Sequence, residues 1–463
     1  DEAIAVARLQ SVEALEARSE FISSYWEYRS YKASLLPAMY LYGDLFSYDR
    51  SLNLLQNYET GEMTYASSNN MQNSVGLYIK QNLAFSGGTV SLYSDLARVD
   101  QFGRNKYATW YAQPLYLSYN QPLFGYNEFK WAKKISPKEY EKAKRVYVES
   151  MEEVTIKAVT CYFELLAARE NLDLARRNYE NTSKMTAVAE ERMKLGSTTR
   201  DEYLQLELRM LNDSISINEY SVEVREKLMA LNSLLGYDAR TDVEPTLSEE
   251  LPDVMMDYDL VMYKALENSS FTLGNEIDIL NAESSVAQAK ADRGYTVGIN
   301  AKFGLSNSDA AIATTYNNLL DQEVVGLTFT IPLFDWGMGK GRVKKAQAAA
   351  DVVKAQVEQS ENDFKRSVFT AVGQFNNQRQ QCYASRRAKE ISQERYELII
   401  GKFRDGTATV TDLNTAREEC DSATQKYITD LSNFWNYYYN LRKMTLYDFI
   451  TGHDLDVPDD EMN

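Results

Sequence analysis

Histidine is almost missing from this chain: His453 is the one histidine in 463 residues. A His-based metal centre needs several imidazoles, and Ser–His or Cys–His catalysis needs one beside its nucleophile, so neither chemistry has a basis here. Cysteine is nearly as scarce. Cys161, Cys382 and Cys420 form no CxxC pair and fall on helical apolar stripes, so they read as small core residues. Glycine and proline number 21 and 8, too few for a loop-rich compact domain and suited to long uninterrupted elements. No run of about 18 apolar residues occurs, which excludes a transmembrane helix. It does not exclude barrel strands, which need only about 9–11 alternating residues. Positive charge is in deficit: 50 basic against 67 acidic side chains leave −17, which argues against a nucleic-acid partner. No Gly-rich phosphate loop or nucleophile motif appears, so the chain is not expected to be an enzyme or to carry a cofactor or metal.

What is abundant is tyrosine, 33 residues with 5 Trp, as membrane-interface girdles or a large helical core would use. The chain also carries an internal duplication. Gln121-Pro122-Leu123-Phe124 recurs as Ile331-Pro332-Leu333-Phe334, and Leu195-Gly196-Ser197-Thr198-Thr199 recurs as Asp405-Gly406-Thr407-Ala408-Thr409. The differences 332 − 122 and 406 − 196 are both 210, so two anchors 74 residues apart share one register.

Between the anchors of the first copy lies a heptad stripe. It runs Tyr147, Met151, Val154, Ala158, Cys161, Leu165 and on through Thr182, Thr186, Ala189 and Met193. The two threonines are its polar members. The second copy carries Val357, Phe364, Val368, Ala371, Phe375, Cys382, Tyr396, Ile399 and Phe403, interrupted by Glu361, Gln378, Ser385, Lys389 and Ser392. After each glycine anchor another helix is expected, with Leu204, Leu208, Leu211, Ile215, Val222 and Met229 in one copy. The other has Leu413, Ala416, Cys420, Tyr427, Leu431 and Phe434. Each anchor therefore reads as the tip of an antiparallel helical hairpin, glycine ending one helix and Ser, Thr or Asp starting the next. The 58 residues 138–195 would make a helix of about 87 Å, longer than a globular core requires.

Before each proline anchor the period falls to two. Val325, Leu327, Phe329 and Ile331 alternate with small or polar residues, as do Val297, Ile299, Ala301, Phe303 and Leu305. The first copy alternates at residues 38–48 and 113–121, with a longer insert at about 49–112. That insert holds strand-like runs at 75–85 and 89–99 and turn signals at Asn69-Asn70 and Gly87-Gly88, and is expected to stand above the barrel on the extracellular side. Four strands cannot close a barrel, for which about eight is the observed minimum, and open edges are forbidden in lipid, so a membrane role demands oligomerisation.

Helix–strand–strand–helix twice over resembles the TolC/OprM outer-membrane efflux family, with features of its Bacteroidetes-like branch. Lys32-Ala33-Ser34-Leu35-Leu36-Pro37 is similar to the family's helix-to-strand junction, Leu231-Asn232-Ser233-Leu234-Leu235-Gly236 to the end of its first hairpin, and Arg404–Leu413 to its second tip. The resemblance implies a mainly α protein with transmembrane β, in which a trimer closes a 12-stranded β-barrel continuous with a long periplasmic α-helical barrel. The first repeat would span 1–235 with its tip near 196, an equatorial connector 236–262, and the second repeat 263–450 (strands 296–306 and 323–331, tip near 406). An acidic tail follows at 451–463. Implied partners are two further copies, a periplasmic adaptor (membrane fusion) protein, an inner-membrane pump of RND or ABC type, and the lipids of the outer membrane. The chain opens Asp1-Glu2 inside a helical pattern and is read as mature or trimmed further.

The same resemblance implies a gate at the tips. Asp412 matches an acidic gate position, whereas Thr415, Ala408 and Phe403 stand where a second acid, an arginine and a tyrosine can occur. Gly196, Thr199, Arg200, Asp201, Glu202, Phe403, Gly406, Thr409 and Asp412 are the candidate gate residues. Glu202 and Asp412 are expected to form acidic rings, although such residues also suit any helix start. Pro37, Pro122, Phe124, Pro332 and Phe334 are the candidate strand-to-helix junctions. The competing reading is a soluble coiled-coil scaffold or tether, which explains the heptads but not the two period-2 segments at one offset.

Overall fold

The computed structural model describes residues 1–56, 61–103, 106–246 and 251–457. Parts of three expected segments, the insert (57–60, 104–105), the connector (247–250) and the tail (458–463), lie outside the described residues. The chain divides into two compact units that are discontinuous in sequence and cut across both repeats.

One unit comprises Ser24–Tyr140 and Asn275–Val357. Its centre is a single antiparallel sheet in the order β1 (Ala38–Gln56), β2 (Met63–Leu83), β3 (Gly88–Gln101), β4 (Tyr107–Leu123), β5 (Thr296–Asp309), β6 (Leu320–Thr330). The expected strand pairs are present as β1, β4, β5 and β6. The sheet has six strands, because the insert supplies β2 and β3 between β1 and β4. Asn69-Asn70 is not a turn: Asn70 pairs with Asp49 on one side and Gln101 on the other, in mid-strand. Both neighbours saturate its backbone, which overrides the turn preference of asparagine. The Gly87-Gly88 turn forms, with Gly87 at φ 77°.

Register keeps a mainly apolar row on one face from β1 to β5, which meets Glu323 in β6, as a period of two allows. One cross-strand row reads Met39, Ile79, Leu92, Leu117, Phe303. The adjacent row, on the opposite face, reads Tyr40, Tyr78, Tyr93, Tyr116, Gly304. Its rings stack in series at centroid distances of 4.8, 5.2 and 4.7 Å. The row ends on a residue without a side chain for a reason: a Cβ at Gly304 would lie 2.3 Å from that of Tyr116.

The other unit comprises Asp1–Ser23, Glu141–Gly274 and Glu358–Asn463. It holds α1 (Glu2–Gln10), α4 (Arg200–Leu235), α5 (Tyr258–Asn268) and α9 (Val410–Thr445) whole, and the larger part of α3 (Glu128–Lys194) and α8 (Met338–Asp405). Helix α3 starts ten residues earlier than residue 138 and passes through Pro137. At 67 residues it is about 100 Å long. Its stripe is buried at Tyr147, Met151, Val154, Ala158 and Leu165, and the polar members Thr182 and Thr186 are buried too. The interruptions of the second stripe have partners: buried Gln378 donates to the Asp430 carbonyl on α9 at 2.9 Å, one turn from Cys382. Phe375, Phe434 and Tyr438 fill the core beside them. The connector straps onto α8 through Asn376, which bonds both the N–H and the carbonyl of Met256 at 3.0 Å. The expected stripe of α4 behaves differently: Leu204, Leu208, Leu211, Ile215, Val222 and Met229 are all exposed.

Candidate functional site

The two hairpin tips are the same loop built twice. Gly196 and Gly406 take φ of 75° and 82°, the left-handed region that glycine enters without Cβ strain. Behind them Ser197 donates its N–H to Arg192 O, and Thr407 to Lys402 O, each at 2.9 Å. These six-to-one bonds close the last turns of α3 and α8. Thr199 and Thr409 then cap α4 and α9. Thr199 Oγ1 accepts from Glu202 N at 3.2 Å while Glu202 Oε2 accepts from Thr199 N at 3.0 Å. Thr409 and Asp412 repeat the exchange at 3.1 and 3.0 Å. Both carboxylates therefore sit in capping boxes, which satisfies helix-end donors and places a negative charge on a positive helix terminus. The backbone N–H of Thr409 is the first cause that holds the exposed Asp412 carboxyl below its ordinary range, its hydroxyl the second.

Thus Gly196, Thr199, Glu202, Gly406, Thr409 and Asp412 fall into two matching clusters, and Asp201 accepts from Gln205 at 2.8 Å beside one of them. Arg200 begins α4, exposed. Phe403 is buried with Met185, Ala189, Leu206, Val410 and Leu413, so the two tips share one small apolar core. Arg192 escaped the sequence reading. It lies over the Phe403 ring at 5.8 Å and donates to Arg404 O at 2.8 Å, joining the end of α3 to the end of α8.

A charged cluster inside the bundle was also missed. Arg417 on α9 grips Asp213 on α4 with two bonds, Nη2–Oδ1 at 2.6 Å and Nη1–Oδ2 at 3.0 Å. Thr182 on α3 donates to the same carboxylate at 2.8 Å. Asp421 stands 3.6 Å from Arg417 Nε and accepts from Asn178 at 2.9 Å. Arg417 and Asp213 are both buried. Burial works against the Arg417 charge, but the bonds and field of Asp213 outweigh it and raise its pKa further. Burial pushes the Asp421 carboxyl up against the pull of Arg417. The signal in the sequence was Thr182, a polar member of an apolar stripe. The cluster ties the first hairpin to the second.

At the strand-to-helix junctions, Pro122 pairs within β4 opposite Gly298. Phe124 turns the chain at φ 59°, whereas the second copy uses Trp336 at φ 54° rather than Phe334. Phe124 packs edge-on to Tyr295 at 5.4 Å, and Phe334 to Trp336 at 4.4 Å. Pro37 precedes β1 directly. Phe85, Phe124, Phe334 and Trp336 are all largely exposed. Among the described residues no group of three or more His, Cys, Asp or Glu is arranged to hold a metal.

Residues 261–445 match the family model described as outer membrane efflux protein. The alkaline protease secretion protein AprF of Pseudomonas aeruginosa is 24% identical over 327 residues, 68% of this chain. The alignment spans 65% of AprF, less than two thirds of that relative. The Campylobacter jejuni CmeC outer membrane channel superposes with a TM-score of 0.67 at 14% identity, covering 100% of this chain and 89% of its own. The Vibrio cholerae outer membrane protein VceC gives 0.66 at 14% identity, covering 97% and 95%. Residues 261–445 thus resemble the outer membrane efflux protein family in sequence, and the chain shares the fold of the two outer-membrane proteins along nearly its whole length.

Proposed function

We propose that this chain is the protomer of a passive exit duct in the outer membrane, closed by three copies and fed by a partner pump. The observation that carries the reading is the sheet. Met39, Leu41, Val325, Leu327 and Phe329 are each at least 65% exposed on one face, and polar groups and tyrosines occupy the other. Water would penalise that much bare apolar surface, whereas lipid covers it at no cost. Both edges, β1 and β6, are open, and they run antiparallel to each other, so one copy's β6 can pair with the next copy's β1. The exposed α4 stripe supports the same assembly, since a heptad seam needs a facing helix. Phe85, Phe124, Phe334 and Trp336 would then lie at the lipid–water boundary nearer the helices, as aromatic girdles do.

In this reading the long helices cross the periplasm and the two tips form its mouth, with Glu202 and Asp412 from each copy as acidic rings and Arg192, Phe403 and the Arg417 cluster setting their spacing. A periplasmic adaptor and an RND or ABC pump would dock there. No step needs catalysis, because the pump supplies the energy. Fractionation and cross-linking test the proposal. It expects a carbonate-resistant, heat-modifiable trimer in outer membranes. A carbonate-soluble monomer would favour the scaffold reading.

A further inference from the structure

We propose that the β2–β3 hairpin is barrel wall, so that each chain supplies six adjacent membrane-crossing strands and three copies close an eighteen-stranded pore. The inference rests on the outer-membrane trimer argued above and changes what that trimer looks like.

Pairing order is the first support. In a four-strand protomer β1 would neighbour β4; here β2 and β3 lie between them, with β1–β2, β2–β3 and β3–β4 all in continuous antiparallel register. The second support is chemistry. The apolar row Met39, Ile79, Leu92, Leu117, Phe303 and the tyrosine row beside it cross all of these strands without changing face. A hairpin standing in water above the membrane would have no reason to continue a lipid-facing row.

The third support is where the hairpin turns. Its turn is tied to the helix-side ends of β1 and β4, not to the far rim. Asn82 donates to Ser34 O at 3.0 Å and Gln81 to Leu35 O at 2.5 Å, just before β1 begins. Gln121 donates to Ser86 O at 2.8 Å and Asn127 to Ala84 O at 3.2 Å, where β4 gives way to α3. Strands β2 and β3 therefore run the height of the sheet. With 21 and 14 residues they exceed the roughly 9–11 needed to cross a bilayer. Because strands are added as a pair, β1 and β6 keep opposite directions and the copies can still join edge to edge.

The consequence is a wider pore. With strands about 4.8 Å apart and tilted about 40°, twelve strands enclose a backbone diameter of about 24 Å and eighteen about 36 Å. The stacked Tyr40, Tyr78, Tyr93 and Tyr116 would line its inner face in three equal arcs.

Cryo-electron microscopy of the unsubstituted oligomer in lipid nanodiscs reads the wall directly. Six strands per copy and a ring half as wide again as a twelve-stranded one support the inference. Four strands per copy, with residues 63–101 outside the ring, overturn it while leaving the duct intact. A protein that forms no membrane ring removes both. An independent check uses Ser91→Cys with Ser118→Cys, direct register partners, in a chain whose three native cysteines are serine. A disulfide within one chain in outer membranes is expected; free thiols at both positions after oxidation of an assembled oligomer count against the wall.

Discussion

Replacing Arg417 by methionine keeps the length of the side chain but leaves Asp213 buried with one partner fewer. The Asp213 carboxylate is 4% exposed and holds two Arg417 bonds and one from Thr182. Removing one member of a buried ion pair costs about 3–5 kcal/mol, because the remaining charge is stranded in a poor solvent. Arg209 Nε lies 3.8 Å from Asp213 and takes over part of the interaction, which places the expected cost near the lower end, about 3 kcal/mol. That corresponds to roughly a hundredfold rise in the local opening equilibrium of the two hairpins. Native-state hydrogen exchange on amides flanking Asp213 and Arg417 reads this opening as a matching loss of protection, with the sheet amides unchanged. The double substitution Asp213→Leu with Arg417→Met removes both charges and is expected to recover most of the protection. Wild-type protection in the single variant, or a double variant as open as the single, would refute the reasoning.

Three further outcomes follow from the geometry. Asp412→Asn retains an acceptor for Thr409 N–H and so keeps the cap, while removing the charge; reconstituted channels should lose cation preference, and an unchanged reversal potential in a salt gradient would contradict the acidic ring. Phe303→Arg places a charge on the lipid face, at a cost of about 2–4 kcal/mol near the bilayer midplane, and should lower the yield of heat-modifiable oligomer, whereas Asn300→Arg on the opposite face should not. Asp448 anchors the C-terminal turn; burial opposes its charge, but Tyr438, the N–H groups of Thr451 and Ile450, and Arg442 together hold its pKa below the ordinary value. A depressed folded pKa gives stability that is present above the unfolded value of about 3.9 and lost as pH falls through the folded one. Limited proteolysis after residue 446 should therefore rise only below about pH 4, and Asp448→Ala should show the same sensitivity at neutral pH.

The helices were legible because a seven-residue repeat sustained over dozens of residues leaves few alternatives. The tips were legible because Gly and Thr at a fixed offset specify both a left-handed residue and a cap. The insert's hairpin was legible in its runs at 75–85 and 89–99, but its place in the sheet was not. Outside its apolar run, β2 carries Ser67, Ser68, Asn69, Asn70, Gln72 and Asn73, a composition that reads as a turn, and only pairing with β1 and β3 makes it strand. Pairing across the chain is invisible to local propensity. The Arg417–Asp213 contact was hidden for a related reason. Its members lie 204 residues apart, and charged residues beside a heptad stripe ordinarily face water. The expected junctions were prolines and phenylalanines, but Trp336 takes the left-handed turn in the second copy, a choice the duplicated Phe did not announce.

The central claim, that this chain is one wall segment of an outer-membrane duct, is tested most directly by chemical cross-linking of intact outer membranes followed by mass measurement of the carbonate-resistant product. The account predicts a species of three chain masses that dissociates on heating. A chain recovered as a monomer in the carbonate-soluble fraction would contradict it.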